Sequence, residues 1–252
     1  MSKIIILAAG KGTRMNSSLP KVLVPVRGKP MIEHLLEAIA GSGVDPRPVV
    51  IVSPDNKEQI RAALEGFDAE FVVQEQQLGT GHAVACARTA LSGSRERIMV
   101  FNGDHPFISS ETIAQLDKGA KGAITLLTVN LDDFEDWRNN FYHWGRIIRE
   151  GGKISSIREF KDASEEIKKI IEVNPAMYSF DSRWLWENIE KIDTNNNQKE
   201  FYLTDLIHLA TASGGEKIYS ISIEPREAMG INSLEELKIA EKIYEAKQRR
   251  NK

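Results

Sequence analysis

Residues 7–15 read Leu-Ala-Ala-Gly-Lys-Gly-Thr-Arg-Met, and Pro20-Lys21 follows after a short gap. The apolar run Ile4 to Leu7 has the composition of a buried strand, so the glycines fall in the turn that leaves it. Such a turn exposes backbone N–H groups that wrap a phosphate, while lysine and arginine neutralise its charge. Lys3, Lys11, Arg14, Lys21, Arg27 and Lys29 all precede the first acid, Glu33, leaving 27 cations against 36 acids over the rest of the chain. An ordinary strand-to-loop turn has the same spacing, but six cations without one acid favour an anion site. Two other phosphate motifs fail: the dinucleotide pattern needs a small residue where Met15 stands, and the Walker pattern needs four residues between its glycines and a Gly-Lys-Ser/Thr ending.

Other chemistry-bearing residues read more plainly. His82 has no nucleophile or orienting carboxylate beside it in sequence and reads as a packing or hydrogen-bonding group at a helix start. His105 follows Asp104 on what looks like an extended strand, where its side chain would point away, and reads as structural. Cys86 is the single cysteine, which excludes an internal disulfide framework and suggests a core position. Trp137, Trp144, Trp184 and Trp186 read as packing residues.

The elements that must position these groups follow from hydrophobic period and punctuation. Ile4–Leu7, Val49–Val52, Phe71–Val73 and Ile98–Phe101 are short apolar runs of the buried-strand type, alternating with helical patterns. Helices are expected from Pro30 to Gly41–Gly43, from an Asp55/Glu58 capping box through Leu64, and from Ala83 to Leu91. The first half is therefore a doubly wound, mostly parallel α/β sheet. In the second half, Gly145–Glu150 and Lys153–Arg158 flank Gly151-Gly152 and predict an antiparallel hairpin insertion with a primed turn. Glu172–Phe180 reads as one strand, Arg183–Ile192 and Tyr202–Thr211 as helices, and Ser233 with Glu236 as the cap of a last helix through about Lys247, with Leu234, Leu237 and Ala240 on its core face.

With 252 residues, 41% hydrophobic and 27% charged, the chain can bury a large core and is neither disordered nor fibrous. A net charge of −3 gives no global reason to expect nucleic acid or an anionic membrane as partner. A transit peptide is disfavoured because the basic amino end is β-branched and glycine-punctuated rather than helically amphipathic, and Ile4–Ala9 is too short for a secretory signal. No stretch approaches a membrane span, so a cytoplasmic location is expected.

Seven ordered segments resemble the sugar-1-phosphate nucleotidylyltransferase family, and within it the bacterial N-acetylglucosamine-1-phosphate uridylyltransferase domain. They are Leu7–Met15 with Pro20-Lys21, Gln74–Ala83, Gly103-Asp104, Gly145-Arg-Ile147, Glu159 with Lys161-Asp162-Ala163, Asn195–Asp205 and Gly230 with Asn232. The resemblance implies a Rossmann-like, GT-A-like fold in one domain spanning 1–252. A nucleotide-binding half would run to about residue 130, a sugar-binding half over about 131–230, and a terminal helix over 233–247. It implies that Leu7, Ala8, Ala9 and Gly10 pack on the uracil and ribose, that Gln74, Gly79 and Thr80 read the base, and that Gly12, Gln77 and Gly103 belong to the same nucleotide site. Arg14 and Lys21 would be the catalytic cations on the triphosphate, and Asp104 and Asn232 the Mg²⁺ ligands. Asn102, Gly145, Glu159, Asn174, Tyr202 and Thr204 would bind the sugar. The implied reaction joins UTP to N-acetylglucosamine 1-phosphate and releases pyrophosphate.

Departures from the family keep alternatives open. Its hexapeptide-repeat β-helix has no counterpart here, so acetyltransferase activity is not implied. Asn174-Pro175-Ala176 replaces the usual Asn-Thr-Gly, Asn102 the usual tyrosine, and residues 134–144 form a longer, more aromatic loop. Glucose, galactosamine or another hexose 1-phosphate remains open, as does dTTP. A non-catalytic nucleotide-binding module is opposed by the retention of Lys21, Asp104 and Asn232, and an NAD-linked oxidoreductase fails at Met15.

Overall fold

Ile4, Ile5 and Ile6 are fully buried in β1 (Lys3–Leu7), with Ile4 and Ile6 in one core and Ile5 in another. Side chains alternate along a strand, so a wholly apolar run needs cover on both faces. The chain supplies that cover by winding helices on either side. This structure, a computed structural model, describes residues 2–15, 17–93, 96–212 and 218–250.

A small ribbon of β2 (Pro25–Val26) and β3 (Lys29–Pro30) leads into α1 (Met31–Ser42), which buries Leu35, Leu36 and Ile39 on the Ile4–Ile6 side. It ends at Gly43 in the left-handed conformation. Next come β4 (Val49–Val52), α2 (Lys57–Ala63), β5 (Glu70–Val73), α3 (Thr80–Cys86) and β6 (Ile98–Asn102). These strands are parallel in the order β5-β4-β1-β6. Ala83 and Val84 of α3 join the Ile5 core on the opposite face. The chain moves to one side of β1 and then returns to the other, so the loops after β1 and β6 part and leave a crevice at the strands' carboxyl ends.

The second half is antiparallel where it matters for the site. After α4 (Ser110–Gly119), capped by Ser109, the chain forms β7 (Ile124–Asn130) and then the hairpin β8 (Gly145–Glu150) and β9 (Lys153–Arg158). Gly151 and Gly152 have φ of 55° and 78°, the two positive angles that a primed turn needs. A single helical turn, α5 (Glu165–Lys168), precedes β10 (Glu172–Asn174), and β11 (Tyr178–Phe180) follows. The sheet then runs β6-β11-β7-β10-β8-β9. It is completed by α6 (Ser182–Asn188), α7 (Asp205–Ala212), β12 (Ile218–Ser222) parallel to β7, α8 (Pro225–Ala228) and α9 (Leu234–Arg250). Among the described residues no helix is long and apolar enough to cross a membrane.

Several expectations are corrected. The single strand expected over 172–180 is two, because Pro175 lacks an N–H and Ala176 adopts φ 57°. Both halves stay beside β7, but β10 pairs outward with β8 and β11 with β6. Asn56, not Asp55, takes the N-cap position of α2; it accepts from Ser53 N (2.9 Å) and donates to Ala8 O (2.9 Å), so the capping box gives way to an anchor for the loop after β1. The helices expected from Ala83 and Tyr202 start at Thr80 and Asp205. Leu234 is exposed at the start of α9, while Ala240 is buried as expected. α4, β7 and β12 occupy stretches where no element is expected from the sequence.

Candidate active site

The loop after β1 and the segment entering α3 face each other across a cleft of about 520 Å³. Leu7, Ala8, Ala9, Gly10 and Gly12 line one side, and Gln74, Gln77, Gly79 and Thr80 the other. A Cβ at Gly10 would meet nothing within 4 Å, so that position opens directly onto the cleft. At Gly12, φ is 59° and a Cβ would stand 2.6 Å from the Lys21 Cβ, so only glycine lets the lysine close against the loop. Gly79 has φ 114°, and its missing side chain admits the Phe201 backbone, whose N–H donates to Leu78 O and whose carbonyl accepts from Gly81 N (both 2.8 Å). Gln74 is buried and donates to Gly79 O (3.1 Å), with His82 Nδ1 3.0 Å from the same nitrogen. His82 is thus a hydrogen-bonding residue, as expected.

Lys21 opens a short 3-10 turn, Lys21–Leu23, that Pro20 precedes and buried Val22 and Leu23 anchor. Its ammonium donates to Asp104 Oδ2 and to Asn232 Oδ1 (2.6 Å). Arg14, on the turn Thr13–Met15, reaches the same Asn232 oxygen at 3.4 Å. Asn232 is held in turn by Glu236, which accepts from its backbone N (2.6 Å) and its Nδ2 (3.2 Å), while Ser233 caps α9. Burial works against ionisation of Asp104, yet the Lys21 ammonium overrides it and holds the carboxyl below its ordinary value. The other Asp104 oxygen, Oδ1, is buried without a hydrogen-bond partner among the described residues. Two hard oxygens converging on one cation, one carboxylate oxygen to spare, suit a divalent ion that takes its remaining ligands from phosphates and water. No cluster of three or more His, Cys, Asp or Glu that could hold a metal unaided occurs among the described residues.

Asn102 and Asp104 also line a second cavity of about 230 Å³, on the far side of the loop after β6. Arg14, Gly145, Glu159, Asn174 and Asn232 lie on its wall. The break between β10 and β11 builds one corner: Asn174 Oδ1 accepts from Ala176 N (3.0 Å) and its Nδ2 donates to the Tyr178 hydroxyl (2.7 Å). Burial pushes the Glu159 carboxyl up, against a hydrogen bond from Thr204 (3.2 Å).

The geometry brings together nearly all the residues singled out from sequence, in two adjoining cavities. Three stand behind the walls. Gly103 backs the loop, where a Cβ would meet Val22 Cγ1 at 3.0 Å. Thr204 acts on Glu159, and Tyr202 is buried with its hydroxyl accepting from Gln198 Nε2 (2.8 Å). His105 does not point away from the site: β6 ends at Asn102, the chain turns, and alternation no longer applies. Its ring lies on the second cavity's wall, stacked 5.7 Å from Trp144, which is also on that wall while packing edge-on to Phe141. Lys11 and Glu200 in the first cavity come from segments singled out in the sequence, though not assigned to the site individually; Asn140, His143 and Glu236 in the second join from segments with no local signal of a binding role.

A doubly wound sheet with a cation-and-carboxylate node at its switch point defines a nucleotidyltransferase fold. The chain belongs to the MobA-like NTP transferase domain family, whose profile matches residues 4–200. It is 42% identical over 253 residues to the bifunctional protein GlmU of Caldicellulosiruptor saccharolyticus, covering all of this chain and 53% of that protein. It is 39% identical to the GlmU of Desulfotalea psychrophila, covering 99% of this chain and 71% of that one. The chain spans about half the length of most of these curated relatives. A Bacillus anthracis structure described as a glucose-1-phosphate thymidylyltransferase shares the fold, with a TM-score of 0.74, 19% identity and coverage of 96% and 95% of the two chains.

Proposed function

We propose that this chain is a cytoplasmic, Mg²⁺-dependent sugar-1-phosphate uridylyltransferase that joins UTP to N-acetylglucosamine 1-phosphate and releases pyrophosphate. The observation that carries the reading is the meeting of Lys21, Arg14, Asp104 and Asn232 where the two cavities adjoin. The choice of substrates rests on the resemblance of the seven segments to the N-acetylglucosamine-1-phosphate uridylyltransferase domain. In this reading the glycine-lined cleft holds the nucleotide and the cavity beyond Asp104 holds the sugar.

The chemistry asks little of any side chain as a base. A sugar 1-phosphate has a second pKa of about 6 and is already a dianion at neutral pH. One of its oxygens attacks the α-phosphorus of UTP, and the bond from that phosphorus to the bridging oxygen of pyrophosphate breaks in line. Lys21 and Arg14 offset the repulsion between the two anions and stabilise the charge that gathers on the departing pyrophosphate. Asp104 and Asn232 would hold Mg²⁺, which supplies further charge neutralisation on the phosphates. Glu159 and Asn174 orient the sugar so that the attacking oxygen faces the α-phosphorus. The whole chain works as one domain, with its nucleotide half before and its sugar half after about residue 130.

A second reading, another hexose 1-phosphate or dTTP, draws on the sugar cavity itself, where Asn102, Pro175-Ala176 and the aromatic segment 134–144 form the wall. Pyrophosphate release from every pairing of UTP, dTTP and CTP with a panel of sugar 1-phosphates tests both. The expected optimum is UTP with N-acetylglucosamine 1-phosphate. Nucleotide binding without turnover on any pair would leave only a regulatory module.

A further inference from the structure

The segment 134–144 is fixed firmly in place. Phe141 is fully buried, Trp137 packs edge-on to it at 6.0 Å, and Trp144 lies between Phe141 and His105. On its other side the wholly buried Arg146 donates to the carbonyls of Tyr142 (2.7 Å), Trp144 and Lys168 (3.1 Å), with its guanidinium over the rings of Phe134, Tyr142 and Phe160. A wall pinned in this way presents its cavity-facing groups in one arrangement. Asn140 lines the same cavity as His143, Trp144, Glu159 and Asn174. Its Nδ2 is buried and has no hydrogen-bond partner among the described residues. A buried amide donor left unpaired is unfavourable, and a ligand oxygen would satisfy it.

We propose that Asn140 is a specificity-determining residue for the sugar phosphate, its Nδ2 donating a hydrogen bond to an oxygen on a ring substituent of a hexose 1-phosphate. The inference rests on the transferase reading above and adds to it a contact from outside the seven resembling segments. The donor complements the Glu159 carboxyl that lines the same cavity, so the pocket as a whole selects a sugar that both gives and receives hydrogen bonds.

The test uses the full chain with Asn140→Asp, which keeps the shape and replaces a donor by an acceptor, and Asn140→Ser as a smaller second variant. Both should raise the KM for the preferred sugar 1-phosphate about tenfold while leaving the KM for UTP within about twofold. Analogues that each lack one ring substituent then identify the acceptor, because the variants' penalty should vanish for the analogue without it. An unchanged sugar KM in both variants overturns the proposal. So does a penalty equal across all analogues, which would mark a merely structural residue. A wild-type chain that releases no pyrophosphate with any sugar phosphate removes the transferase reading itself, an outcome distinct from active wild type with unaffected variants.

Discussion

At the scale of single residues, Lys21 is the pivot. Its ammonium bridges Asp104 and Asn232, and a triphosphate entering the neighbouring cleft would compete for the same charge. Asp104→Asn or Lys21→Ala should therefore lower turnover by about two orders of magnitude or more, with far-ultraviolet circular dichroism unchanged. Near-normal turnover in either purified variant would remove the assignment. Glu159 sets a different expectation. Burial raises its carboxyl, so the native state holds that proton more tightly than the unfolded chain, and stability contributed here falls as pH rises past the ordinary glutamate value of about 4.3. Glu159→Gln should flatten that part of the pH dependence, read from thermal unfolding of both proteins over a pH series; parallel curves would assign the slope to another group. The convergence of these residues was legible from sequence because glycines, cations and carboxylates sit in short ordered segments. The orientation of His105 was not, since it depends on where β6 stops, at Asn102.

At the scale of elements, the break at Pro175–Ala176 and the buried Arg146 shape the second cavity. Neither can be read locally. Glu172–Phe180 looks like one continuous strand until β8 is seen to pair with its first half and β6 with its second. Arg146 stands in a hairpin strand, yet among the described residues it has no carboxylate partner and serves backbone carbonyls instead. Arg146→Met should cost about 3 kcal/mol by leaving those carbonyls buried and unpaired. Denaturant unfolding measures it, and a loss below about 1 kcal/mol would show that the segment 134–144 holds itself. In α4, by contrast, the signal was present: Ser109 at the cap and Ile113 with Leu116 on one face are ordinary helix cues.

At the scale of the whole molecule, the parallel half follows from local cues, because each β-branched run and the helix after it declare themselves in sequence. The order β6-β11-β7-β10-β8-β9 depends on pairings between distant segments, which no local window contains. Because that sheet is unbroken from β5 to β9, both halves should unfold together. Scanning calorimetry should give one transition with equal calorimetric and van't Hoff enthalpies, and two resolved transitions would divide the chain into separate units. The end of β6 at Asn102 and the turn carrying Asp104 form a partition between two hollows. An inhibitor that tethered a pyrimidine nucleotide to a hexose through a non-hydrolysable bridge would straddle it. Its second arm would then dock at high effective concentration, gaining avidity that neither fragment has alone.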